Sequence, residues 1–208
     1  MEQQAKKRGR PAKNPLERDT KEHLIRTGIE LLTERGYMTA DIDSVLKKSG
    51  VPKGSFYYYF KNKEEFGQAV IEGYADYFNR KLDKFLGDKS LSPLVRIRAF
   101  YENAKVGMAK FDFTRGCLVG NVAQEATILP QSYYFLLNNI FARWQSKFEQ
   151  CFCEAQVVGE LSEQCDVKQL AFFFWIGWEG AVMRAKLQKS TEPLTAFFDY
   201  FISTLPNN

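Results

Sequence analysis

The chain has 208 residues, 45% hydrophobic and 15% aromatic, so it can bury a substantial core and is far from a disordered composition. No stretch approaches the ~20 uninterrupted apolar residues of a membrane span. The basic N-terminus is followed by no apolar run of a secretory signal, so a cytoplasmic protein with no membrane partner is expected.

The net charge of +4 is unevenly spread. Residues 1–63 hold 14 Lys/Arg against 8 Asp/Glu, whereas residues 64–208 hold 15 against 17. A basic end on a neutral body is the footprint of a nucleic-acid binder. The only histidine is His23, and no glycine loop suited to phosphate is present. An enzyme, a metal site and a bound cofactor are therefore not expected. The four cysteines read as thiols. Cys151 and Cys153 lie two apart on a helix and point to opposite sides.

In chain order, residues 1–17 form a flexible basic arm, interrupted by Pro11 and Pro15. Apolar spacing from Thr20 to Arg35 predicts a first helix that stops at Gly36. "TADIDSVLKKSG" predicts a short second helix ending at Gly50, and Pro52 opens a third. "NKEE" at 62–65 matches a capping box, with Asn62 as cap and Glu65 reaching back. A long amphipathic helix follows to about Gly87. Ser92 as cap and Pro93 at the first position start the next. After "FDFTRG" come a short segment from Cys117 to Ile128, a long helix over 131–156, and an apolar helix from Val167 to about Lys189. Asp166 and Gln169 form a second candidate capping box, and Pro193 begins the last helix. About nine helices and no strand alternation make the fold class all-α.

"VPKGSFYYYF" (51–60) carries five rings in ten residues. At about 100° per residue, Phe56 and Phe60 fall on one side of the third helix. Tyr57, Lys61, Gly54 and Tyr58 gather on the other, and Tyr59 lies at the margin as a packing residue. The phenylalanines can anchor the helix, while the opposite face suits a DNA major groove. There a bare glycine allows close approach, and hydroxyls and a lysine can bond phosphates. Helix, tight turn at "SGVP" and helix is the helix-turn-helix arrangement.

These residues, with "KNKEEF" after them, resemble the end of the DNA-binding domain of TetR-family transcriptional regulators. The likeness spans roughly residues 20–66. It implies DNA contacts from Lys53, Gly54, Ser55, Tyr57, Tyr58 and Lys63, to which the outer-face reading adds Lys61. Many members have threonine and then a basic residue at the start of the second helix, where this chain has Ala40, Asp41 and Asp43. The arm's "RGRP" resembles an AT-hook core, in which Arg8 and Arg10 would enter an A·T-rich minor groove; diffuse charge is the simpler alternative. The division expected is the arm at 1–17, the DNA-binding domain at 18–78 (helix-turn-helix about 41–60), and an effector-binding and dimerisation domain at 79–208.

"RGCLVGN" (115–121) and "FFWIGWEGAVMRAKL" (173–187) resemble a subgroup of the family that responds to acrylate or to electrophiles. The resemblance implies a homodimeric repressor on a palindromic double-stranded DNA operator, released by a small acid or electrophile. The effector-binding candidates are Cys117, Asn121, Trp175 and Trp178. Arg115 and a helix start beside Cys117 favour a thiolate, and a small buried thiol is the plainer alternative. Arg184 is expected to pair with Glu179 or solvent, or else with a ligand carboxylate. The helix at 167–189 is apolar nearly all round, so it must be covered on more than one face.

Overall fold

The computed structural model describes residues 15–206, with side chains from Asp19 onward. Residues 1–14 of the expected arm, with Arg8 and Arg10, lie outside the described residues, while 15–17, expected in the arm, open the first helix. Among those described there are nine α-helices, one 3-10 turn and no strand.

Helix α1 (Pro15–Arg35) ends where Gly36 takes φ +81, a left-handed conformation that glycine adopts at no steric cost. Helix α2 (Ile42–Ser49) starts at Asp41, whose carboxylate accepts from the Ser44 N–H at 2.6 Å. The unusual acid at the start of this helix is thus its cap. Gly50, at φ 70, closes α2, and α3 (Lys53–Tyr59) follows after Val51 and Pro52. Helix α4 (Lys63–Leu86) is capped by Asn62, which accepts from the Glu65 N–H at 2.8 Å. Glu65 reaches back one residue beyond the expected partner and accepts from the Lys61 N–H at 2.9 Å. That bond ties the end of the α3 segment to the start of α4.

Helix α5 (Pro93–Lys110) begins with proline as expected, but the Ser92 hydroxyl makes no capping bond. The free Leu94 N–H donates instead to Glu160, 2.9 Å away on a distant turn. The chain then passes through Asp112 and Phe113, both at positive φ, into α6 (Leu118–Ala123). The segment read as one short piece divides into α6 and a 3-10 turn at Ala126–Ile128. Helices α7 (Gln131–Val157), α8 (Val167–Gln188) and α9 (Glu192–Ser203) complete the fold. Asp166 caps α8 by accepting from the Lys168 and Gln169 N–H groups.

Helix α4 runs without a break past residue 78 and packs on α1, α5 and α7; α8 lies between α7 and α9. One continuous core joins them. Its centre is aromatic: Trp144 meets Phe78 at 4.5 Å, Phe148 stacks on Phe174 at 4.3 Å, and Tyr101 stacks on Phe198 at 4.0 Å. Cys151 is buried and Cys153 exposed, on opposite sides of α7. No described helix is long and apolar enough to cross a membrane.

Candidate nucleic-acid interface and sensing interior

The two faces of α3 separate as its spacing predicts. Phe56 and Phe60 are 0% and 2% exposed, with ring centres 5.2 and 5.1 Å from Phe66 of α4. Tyr57 and Tyr58 are 47% and 69% exposed. Lys53, Gly54 and Lys61 are exposed with them, and a Cβ at Gly54 would meet nothing within 4 Å. Ser55 is half-buried, as is Tyr59, which packs against the core. Lys53 reaches Asp43 of α2 at 3.4 Å, a contact exposed on both sides that is worth little in water. It leaves the ammonium free to exchange that partner for a phosphate.

Lys63 is placed differently. Its ammonium donates to the Met38 carbonyl at 3.2 Å and sits 4.6 Å over the Tyr37 ring. Burial holds its pKa below the usual lysine value. In this conformation it braces the α1–α2 turn and does not stand out with the tyrosines.

That turn is gripped from a distant part of the chain. The Glu125 carboxylate, between α6 and the 3-10 turn, accepts from the Tyr37 and Met38 N–H groups at 2.9 and 2.8 Å. A Cβ at Gly36 would collide with the same carboxylate. Asn121 donates to the Thr33 carbonyl at 2.8 Å, and Arg115 pairs with Glu34 at 2.9 Å. Tyr133 of α7 donates to the Glu64 carbonyl at 3.0 Å. Helices α6 and α7 therefore hold the ends of α1 and α4 by hydrogen bonds with fixed partners. Asn121 serves this junction and not the aromatic interior.

Inside, Trp175 and Trp178 are buried with Trp144. Cys117 is buried too, and its sulfur caps α6 by accepting from the Gly120 N–H at 3.3 Å. The expected thiolate is not supported. Arg115 is spent on Glu34 and Glu30, while burial, and then the neighbouring Glu179 carboxyl, push the thiol well above its usual pKa. Glu179 itself is enclosed: a Cβ at Gly120 would strike its Oε2, and burial raises its pKa to about 7. Part of the residue reaches the surface, but its Oε1 does not. Arg184 is exposed on the α8–α9 groove and does not pair with Glu179. Sequence reasoning missed Glu179, Tyr74, Trp144 and Glu125 as site residues. The one available signal was Glu179 as a lone acid within an apolar helix.

Comparison with known proteins fits this two-part arrangement. Residues 24–70 match the family "Bacterial regulatory proteins, tetR family" and residues 93–201 match "Tetracyclin repressor-like, C-terminal domain". Transcriptional regulator AcuR of Cereibacter sphaeroides is 49% identical over 194 residues, covering 93% of this chain and 89% of that protein. The transcriptional repressor NemR of Escherichia coli K12 is 30% identical over 189 residues, covering 86% and 89%. A crystal structure of a regulatory protein TetR from Rhodobacter sphaeroides, 49% identical, superposes with a TM-score of 0.87 over 88% of this chain and 97% of that one. With α3 presenting its tyrosines and a helical body behind it, the chain belongs to the TetR family, and is a DNA-binding transcriptional regulator and not an enzyme.

Proposed function

We propose that this protein is a dimeric repressor that binds a palindromic operator and leaves it when a small molecule enters its helical interior. The observation that carries the DNA half is the two-sided α3, with both phenylalanines inward and two tyrosines, a lysine and a bare glycine outward. In this reading residues 18–78 form the DNA-binding domain and 79–208 the sensing and dimerising one. Lys53, Gly54, Ser55, Tyr57, Tyr58 and Lys61 lie against the major groove. Lys63 joins them only by leaving Met38.

Dimerisation is supported by α8. At about 100° per residue, Phe172, Phe173, Ile176, Gly180, Met183 and Leu187 fall within one arc of roughly 100°. The five large side chains are all exposed, and a Cβ at Gly180 would meet nothing within 4 Å. A second copy covering that stripe would use two-fold symmetry, which is what a palindrome requires. The effector we favour is a small acid such as acrylate, bound reversibly near Trp175 and Trp178. A buried thiol held above its usual pKa at Cys117 is a poor nucleophile.

DNA fragments retained by the purified protein identify the operator, and candidate effectors are then tested for release. On that operator, Tyr57→Phe and Lys61→Ala should each weaken binding while helicity and melting temperature stay nearly unchanged. Unaltered affinity in both would remove α3 from the interface.

The arm gives a separate expectation. Deleting residues 1–13 removes Lys6, Lys7, Arg8, Arg10 and Lys13. The slope of log K against log salt should flatten by about 0.9 for each phosphate the arm no longer neutralises. Minor-groove insertion further requires a larger loss on A·T-rich than on G·C-rich flanks. Equal losses reduce the arm to diffuse charge.

A further inference from the structure

Two carboxylates stand at the start of α2, and only one of them has a structural task. Asp41 caps the helix by accepting from the Ser44 N–H at 2.6 Å. Asp43 caps nothing. Its side chain is 79% exposed, and its one polar partner among the described residues is the Lys53 ammonium, 3.4 Å away. Lys53 opens α3, and its own side chain is 63% exposed.

Helical spacing sets this ion pair beside the tyrosines. In α2, Val45 is buried, and Ile42 and Leu46 pack against the core. Asp43 and Lys47, one turn apart, lie on the side turned away from it, and both are exposed. In α3, Tyr57 follows Lys53 by one turn and shares its side of the helix. The contact from Asp43 to Lys53 therefore extends the outer face of α3, with Tyr57 and Tyr58, onto α2. In a helix-turn-helix the first residues of the second helix are those that reach base edges.

A bare carboxylate is out of place against DNA, whose phosphates repel it. Were Lys53 to leave for a phosphate, Asp43 would meet that field alone. Kept together, the two side chains set a donor beside an acceptor, because the ammonium only donates and the carboxylate only accepts. In the major groove a G·C pair offers two neighbouring acceptors, N7 and O6 of guanine, and then one donor, N4 of cytosine. Lysine meets the first two and the carboxylate meets the third. An A·T pair sets its donor between its two acceptors, so the lysine reaches only one of them. We propose that Asp43 and Lys53 read one G·C pair in each half-site as a unit, Asp43 accepting from cytosine N4 and Lys53 donating to guanine. The proposal rests on α3 as the reading helix, and adds to it a residue of α2 and the identity of a base pair.

Selection from a random-sequence DNA pool, read by sequencing, gives the preference of the full chain at every position. One pair in each half-site should be G·C, with other pairs there bound about 5- to 150-fold more weakly. Asp43→Ala and Lys53→Ala should both lose that preference severalfold, at the same position and nowhere else. On non-specific DNA their effects should be opposite. Asp43→Ala binds it more tightly, having shed a negative charge, and Lys53→Ala binds it more weakly. Helicity and melting temperature should stay in place, because both side chains are exposed and neither caps a helix. Lys47→Ala serves as the charge control and should weaken all sequences alike.

Any of three results overturns the paired reading: Asp43→Ala tightens every sequence alike with all preferences intact, the two variants act at different positions, or the position they share is A·T. The first of these would leave Asp43 only a charge at the start of a helix. If Tyr57→Phe and Lys61→Ala weaken the complex while Asp43→Ala leaves every preference in place, this pair is refuted and α3 is spared as the reading helix. A preference lost in both Asp43→Ala and Lys53→Ala, with Tyr57→Phe and Lys61→Ala without effect, does the reverse.

Discussion

Phe60→Ala is expected to destabilise the protein by about 3–5 kcal/mol, the usual cost of removing a fully buried aromatic ring. Phe60 is the residue on which α3 ends. Its N–H donates to the Phe56 carbonyl at 3.0 Å, and its ring fills the space between Phe56 and Phe66, 5.5 and 5.1 Å away. Without the ring a cavity opens beneath the helix that carries Tyr57 and Tyr58. Operator binding should then fall because α3 loses its fixed orientation, although no DNA-facing group has changed. Chemical denaturation checks the stability and anisotropy on labelled operator checks the binding. Lys61→Ala, on the outer side, should leave the denaturation midpoint in place. If Lys61→Ala unfolds the domain and Phe60→Ala does not, the assigned facing is reversed.

The second large effect is expected at Ile176→Arg. Ile176 is 58% exposed, at the centre of the apolar stripe on α8, so arginine there should leave the folded single chain intact. Placed against its own symmetry mate, it brings two like charges into a dry contact. Central interface residues carry about 2–4 kcal/mol when removed, and affinity should drop by roughly 30- to 700-fold on the scale of tenfold per 1.4 kcal/mol. Sedimentation should show a monomer with unchanged helicity, and operator affinity should collapse with the dimer. A variant that stays dimeric and binds operator normally would move the interface elsewhere.

What could be read in the sequence was local. The facing of α3 was legible because 3.6 residues per turn separate Phe56 and Phe60 from Tyr57 and Tyr58, whatever the rest of the chain does. Gly36, Gly50, Asn62 and Asp166 were legible for the same reason: a turn or a cap is fixed within four residues. Ser92 failed because the Leu94 N–H found Glu160, 66 positions away. Of the two readings of Cys117, the thiolate failed in the same way and the small buried thiol stands. Its neighbours Arg115 and Gly116 argue for a thiolate, but Glu34 takes the arginine from α1 and Glu179 takes the sulfur's surroundings from α8. Lys63 looked like another basic residue beside the recognition helix until the turn at Met38 folded over it. The helices follow from periodicity, whereas the charge state of a buried group depends on which distant residue arrives beside it.

The grip of Glu125 on the Tyr37 and Met38 N–H groups bears on how far this protein can be taken apart and rebuilt. The two matched regions, 24–70 and 93–201, invite an exchange of heads and bodies between relatives to join one operator to another effector. Such a hybrid would bring together a turn and a carboxylate that had not been fitted to each other. A side chain at position 36 would push that carboxylate out, and a residue without an acceptor oxygen at position 125 would leave two amides unpaired. The graft that preserves this contact is therefore one that carries 36–38 and 125 as a single unit, although 86 residues of chain lie between them.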